Sequence, residues 1–143
     1  MYSAISVANY IIEYEHSKNR MISNLKLQKL LYFVQAQFFR VRGVPCFRDK
    51  IEAWSFGPVV VSVYHVYKYY GGMDITYPEE DVHVFITNQD KEIINEVLEL
   101  FSYTPVYEMV NITHNQTPWM EASKNPSSNE ITIGAIERYF SNL

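Results

Sequence analysis

Residues 22–33 read ISNLKLQKLLYF, and this run asks for a helix that is buried on more than one side. At 3.6 residues per turn from Leu27, the side chains of Leu30, Leu31, Val34, Phe38 and Val41 share one stripe roughly 100° wide, and Tyr32 and Phe39 widen one flank. Ser23 suits the N-cap, where a hydroxyl takes up an orphan amide proton, and Gly43 supplies the left-handed residue that commonly ends a helix. Such a helix, over about 23–42, belongs at the centre of a domain. Three polar residues inside the run are left over. Lys26 and Lys29 lie off the apolar stripe, which places them on a solvated face or against a partner, and Gln28 sits on the flank beside Tyr32, where a half-buried amide needs partners.

Working outward, Ser3 reads as the cap of a first helix with Val7, Ala8, Ile11 and Ile12 on its apolar face, ended by the polar stretch Ser17–Asn19. Val44–Phe56 is expected to be extended, because Pro45 excludes a helix interior and Ile51–Phe56 is rich in β-formers. Pro58–Tyr70 shows no clean alternation. Helical spacing groups Val60, Val63, Tyr64 and Tyr67, with Pro58 at the first helical position and Gly71–Gly72 at the exit, so the segment is read as a helix. Val82–Ile86 is a second candidate strand, a partner for Ile51–Trp54. Thr87 then caps a helix that buries Ile93, Ile94, Val97, Leu98 and Phe101, with Asp90 three residues after the cap. Thr104–Pro105 and Thr117–Pro118 each offer a cap followed by proline at the first helical position. Thr132 caps the last helix, with Ile131 stapled onto Ile136. The expected architecture is mainly α: a single domain over 1–143, of about five to seven helices around the central one, with a small β element at about 51–56 and 82–86.

Composition agrees with a packed domain. With 143 residues, 48% apolar and 20% charged, the chain has the content of a globular protein and not of a disordered one. No apolar stretch approaches the roughly 20 residues of a membrane span, and Cys46, as the single cysteine, permits no internal disulfide. A cytoplasmic protein is expected. Residues 1–50 carry eight Lys or Arg against three acids, whereas 51–143 carry four against thirteen. That acidic portion suits a basic partner or simply solvates the surface, and an acidic chain with few clustered cations is a poor candidate for direct nucleic-acid binding.

Most catalytic chemistry fails on inventory. His16, His65, His83 and His114 stand at no ligand-like spacing, no cysteine pair exists, and the five glycines build neither a dinucleotide fingerprint nor a P-loop. No metal or cofactor is expected. Cys46, between Pro45 and Phe47, reads as a small buried hydrophobe. His114, between two helices, is read as bonding a terminal carbonyl, with Thr113–His114 the only hint of a nucleophile beside a base, and Trp119 is read as a core plug. Tyr64, Tyr67, Tyr69 and Tyr70 cannot all point inward from one helix. Some of that ring surface is expected near Trp54 and Pro58, where exposed Tyr and Trp would serve as interface anchors.

The ordered series SAISVANYII from Ser3, ISNLKLQKLLYF, IEAW and FGPVV within Ile51–Val60, VYHVYK, THNQTPWMEA from Thr113, and terminal ITIGAIERYF resembles the Panacea domain of the SocA-like antitoxin family, which includes GepA-type proteins of phages and mobile elements. The resemblance runs through nearly the whole chain. It implies a mostly helical domain with a small β element, no enzymatic activity, and the role of antitoxin in a type II toxin–antitoxin pair, neutralising by direct contact a toxin encoded next to it. Since one domain type serves many unrelated toxins, it also implies that the shared motifs are mainly scaffold.

Candidate partner-binding residues are therefore Lys26, Gln28, Lys29, Trp54, Pro58, Tyr64, Tyr67, Tyr69, Tyr70, His114 and Trp119. Two alternatives stand beside the antitoxin: a phage-associated regulatory or adaptor protein without a toxin partner, and a small-ligand or enzymatic domain using His114.

Overall fold

The computed structural model describes residues 1–79 and 85–143. Among these, seven helices and three short strands follow in the order α1 (Ala4–Ser17), α2 (Asn24–Arg42), β1 (Ile51–Trp54), β2 (Gly57–Val60), α3 (Val61–Tyr67), α4 (Asn88–Leu100), α5 (Val106–His114), α6 (Thr117–Lys124), β3 (Glu130–Ile131) and α7 (Ile133–Ser141), with a 3-10 turn at Lys68–Tyr70. The mainly helical, single-domain reading holds.

The capping signals do what their chemistry asks. Ser3, Ser23, Thr87 and Thr132 each accept a hydrogen bond from the backbone N–H three residues on, and Gly43 ends α2 at φ +69°. Helix α2 is the hub: α1, α3, α4, α5, α7 and β2 all pack on it. Leu27, Leu30, Leu31, Val34 and Phe38 are buried, joined by Tyr32, Phe33 and Phe39, so this helix is surrounded on most sides. Val41 departs from the expected stripe and is 54% exposed, because it lies in the last turn, beyond the packing elements.

Two segments differ from the expected elements. Pro58–Tyr70 is not one helix: residues 57–60 are strand, and the helix begins at Val61. The β-branched Val59 and Val60 follow a two-residue turn that folds them back on β1, with Ile51 opposite Val60 and Trp54 opposite Gly57, and this cross-strand pairing outweighs helical spacing. Pro58 is tolerated because β2 is an edge strand. The second difference concerns β1's other partner. Its free edge pairs with β3, Ile51 opposite Ile131 and Glu52 opposite Glu130, so both edges of β1 are taken without Val82–Ile86. Val82–Val84 lie outside the described residues, and Phe85 and Ile86 are not in a strand.

The two Thr-Pro pairs start helices one residue away from the expected register. Pro105 occupies the cap position of α5, and Gln116, not Thr117, occupies that of α6, with Pro118 in the first turn. Gln116 has another use, described below.

One buried amide escaped the sequence reading. Gln35 of α2 is fully buried; its Nε2 donates to Phe47 O at 2.7 Å, and its Oε1 accepts from Cys46 N at 2.7 Å and Phe47 N at 3.2 Å. It thereby satisfies three backbone groups of the loop leading to β1. Cys46 is buried there, which pushes its thiol up to about 12 and makes it the inert hydrophobe expected. Gln35→Leu should cost about 2–4 kcal/mol in urea unfolding, since it strands those groups away from water; a loss under 0.5 kcal/mol would show that the loop finds other partners.

Candidate partner-binding site

The three motifs, distant in sequence, meet at the β1–β2 turn. Lys29 is 0% exposed, and its Nζ donates to Pro58 O at 2.7 Å. Burial alone pushes this amine down to about 7, with no charged group contributing. Its stem lies against the turn: Gly57 adopts φ +102°, and a Cβ added there would sit 2.7 Å from Lys29 Cε and 3.0 Å from Thr113 Oγ1. Glycine is needed at this position for both reasons, conformation and space.

An amide relay holds the second strand. Gln28 Oε1 accepts from Val60 N at 2.9 Å, Gln28 Nε2 donates to Asn24 Oδ1 at 2.9 Å, and Asn24 Nδ2 donates to Tyr64 O at 3.2 Å. The third motif closes the turn from the other side. Trp119 Nε1 donates to Trp54 O at 2.9 Å, and Tyr32 OH, in the core, donates to Gln116 Oε1 at 2.8 Å. Thr113 spends its hydroxyl proton on Val110 O at 2.7 Å. His114 stacks on Trp119 with ring centroids 4.0 Å apart, and its buried Nε2 has no hydrogen-bond partner among the described residues, so the expected bond to a helix-terminal carbonyl does not run through that atom.

This arrangement corrects the reading of several candidates. Lys29 does not lie on a solvated face, and the Gln28 amide is fully buried with the partners that its flank position asked for. Lys26 is half-buried, with Nζ donating to Phe101 O at 3.2 Å and Thr104 O at 3.1 Å, so it ties down the α4–α5 corner; burial lowers its pKa. Pro58 is buried. Tyr67 is fully buried, its hydroxyl donating to Asn9 Oδ1 and accepting from Glu79 N at 2.8 Å, and burial pushes it up to about 12. Of these only Lys26 keeps part of its side chain at the surface.

What remains outside is aromatic. Trp54 and Tyr64 are half-buried with ring centroids 4.8 Å apart, and Phe56, at the turn, is 66% exposed. Beyond them Tyr69 is 72% exposed and stacks on Tyr70 at 4.5 Å, whose hydroxyl pairs with Thr76 Oγ1 at 3.0 Å. Leu25, Trp54, Phe56, Val59, Tyr64 and Gly71 enclose a cleft of about 160 Å³, floored by Asn24 and Gln28. Of the expected rings Trp54 and Tyr64 line this cleft, and Tyr69 and Tyr70 lie in the turn just before Gly71, whereas Phe56, Gly57 and Asn24 were not among the expected residues. The Ser55-Phe56-Gly57 turn between two β-forming runs was the signal that would have found the first two.

Among the described residues no group of three His, Cys, Asp or Glu is placed to hold a metal, and no helix is long and apolar enough to cross a membrane. The family model described as "Antitoxin SocA-like, Panacea domain" matches residues 27–120, which takes in Lys29, the hairpin and Trp119. The Antitoxin SocA of Caulobacter vibrioides (strain NA1000 / CB15N) is 30% identical over 137 residues, covering 88% of this chain and 73% of that protein. No solved structure gives a significant match. With the matched span taking in Gln28, Lys29, the β1–β2 turn, Thr113 and Trp119, the chain belongs to the SocA-like antitoxin family and carries its Panacea domain.

Proposed function

We propose that this protein is the antitoxin of a type II pair, a cytoplasmic, non-catalytic binding module that neutralises a toxin by direct contact through the face around Trp54, Phe56, Tyr64 and Tyr69. Family membership and the SocA relative support the role. The observation that carries the choice of surface is Phe56: a large apolar ring, 66% exposed, stands on a turn braced from α2 by Lys29, from α5 by Thr113 and from α6 by the half-buried Trp119. A rigidly held, exposed aromatic costs little entropy to bury against a partner, which is the property of an interface anchor. The polar groups of the hub support a binding role as well, because Lys29 and Thr113 are spent on backbone carbonyls and neither lies at the surface.

The test starts from the neighbouring gene. Expressed alone, it should arrest growth; expressed with this protein it should not, and the two products should co-purify. Failure of both rescue and co-purification would refute the proposal. Phe56→Asp should leave the fold intact, since the ring is outside, and should abolish rescue.

A further inference from the structure

The sheet sets two carboxylate residues opposite each other beside the cleft. In the β1–β3 register Glu52 stands directly opposite Glu130, and residues directly opposite in an antiparallel pair share a face, where like charges repel. Neither takes part in an ion pair with a described residue. On the other side of β1, Glu52 faces Val59, a wall of the cleft, and its Oε1 accepts from Trp54 Nε1 at 2.9 Å. Cleft wall, Glu52 and Glu130 thus run in a row across three strands, so the second carboxylate lies roughly 10 Å from the cleft at ordinary strand spacing.

The cleft's own chemistry is apolar. Its floor amides already bond to each other and to the backbone, so they orient nothing further. At about 160 Å³ the space is well below the range of roughly 300–1,000 Å³ that holds small molecules; it fits a single large side chain. We propose that this cleft seats one leucine, methionine or phenylalanine side chain of the toxin, while a lysine or arginine of the same toxin segment lies over Glu52 and Glu130. This rests on the antitoxin reading and adds the chemistry of the contact: an apolar anchor and a cation one or two residues apart on a strand, or one turn apart on a helix. The paired carboxylates are then a local instability kept for binding, since only the partner's cation relieves them.

The experiment is calorimetric titration of the purified product of the neighbouring gene, as a variant that no longer arrests growth, into this protein and its Phe56→Asp and Glu130→Gln variants at 50 and 300 mM salt. Phe56→Asp should weaken binding at least 100-fold. Glu130→Gln should weaken it about 5- to 10-fold at low salt, flatten the salt dependence, and yet raise the melting temperature, because it removes the repulsion. Absence of any wild-type binding would defeat the antitoxin reading itself. Wild-type binding that both variants reproduce, with the same salt slope, would overturn the cleft proposal while leaving that reading intact. Concentration-dependent dimerisation of the wild type, lost in Phe56→Asp, would assign the cleft to a second copy and also overturn it.

Discussion

Gly57→Ala should destabilise the fold by about 2–4 kcal/mol, measured as the shift in urea unfolding free energy against wild type. Two costs add. At φ +102° an L side chain is strained, and its Cβ would lie 2.7 Å from Lys29 Cε, inside contact distance. The lysine cannot simply swing away, because its Nζ is held by Pro58 O and its burial leaves no route to water within the fold. Gly43→Ala separates the two contributions. Gly43 also has positive φ, at +69°, but nothing lies within 4 Å of its added Cβ, so only backbone strain of about 1 kcal/mol is expected. Equal losses at the two positions would mean that the Lys29 contact carries no weight.

Lys29 should give the protein an unusual rise of stability with pH. Its folded pKa is pushed down to about 7 from 10.5 by burial, so between these values the unfolded chain holds more protons than the folded one. Stability therefore climbs as pH rises through that window and levels off below about 7, where the amine is protonated in both states. Lys29→Met removes the term. The difference in unfolding free energy between wild type and Lys29→Met should move in favour of wild type by on the order of 4 kcal/mol from pH 7 to pH 10. Contributions of the tyrosines and of Cys46 are common to both proteins and cancel. Parallel curves across that range would show that Lys29 stays protonated, stabilised by something other than the Pro58 carbonyl.

Both predictions concern residues whose roles were only half legible. The core of α2 and the caps at Ser3, Ser23, Thr87 and Thr132 could be read directly, because a cap is a contact between residues three apart and an apolar stripe reports one helix's own periodicity. Lys26 and Lys29 could not. Their carbonyl partners lie 75 to 78 and 29 positions away, and a lysine off the apolar stripe looks solvated until the elements that cover it are known. The same holds for Pro58–Val60, whose conformation is decided by pairing with β1, and for Tyr67, which helical spacing grouped with Tyr64 although only Tyr67 is fully buried. Of the expected rings Tyr69 is exposed and Tyr67 is buried, and Phe56 adds an exposed ring that was not expected. The ordered motifs thus name the family correctly, while Asn24, Gln28 and Lys29 within or beside them serve the scaffold.

In the proposed role, this hub holds the Trp54–Phe56 turn out as the surface that meets the toxin. Backbone amide hydrogen exchange of the protein, alone and saturated with the inactive product of the neighbouring gene, tests it most directly. New protection is expected in a peptide spanning Trp54–Phe56 and in one spanning Tyr64–Gly71, with α1 and α7 unchanged; protection confined to α1 or α7, with the turn exchanging as in the free protein, would overturn the proposed surface.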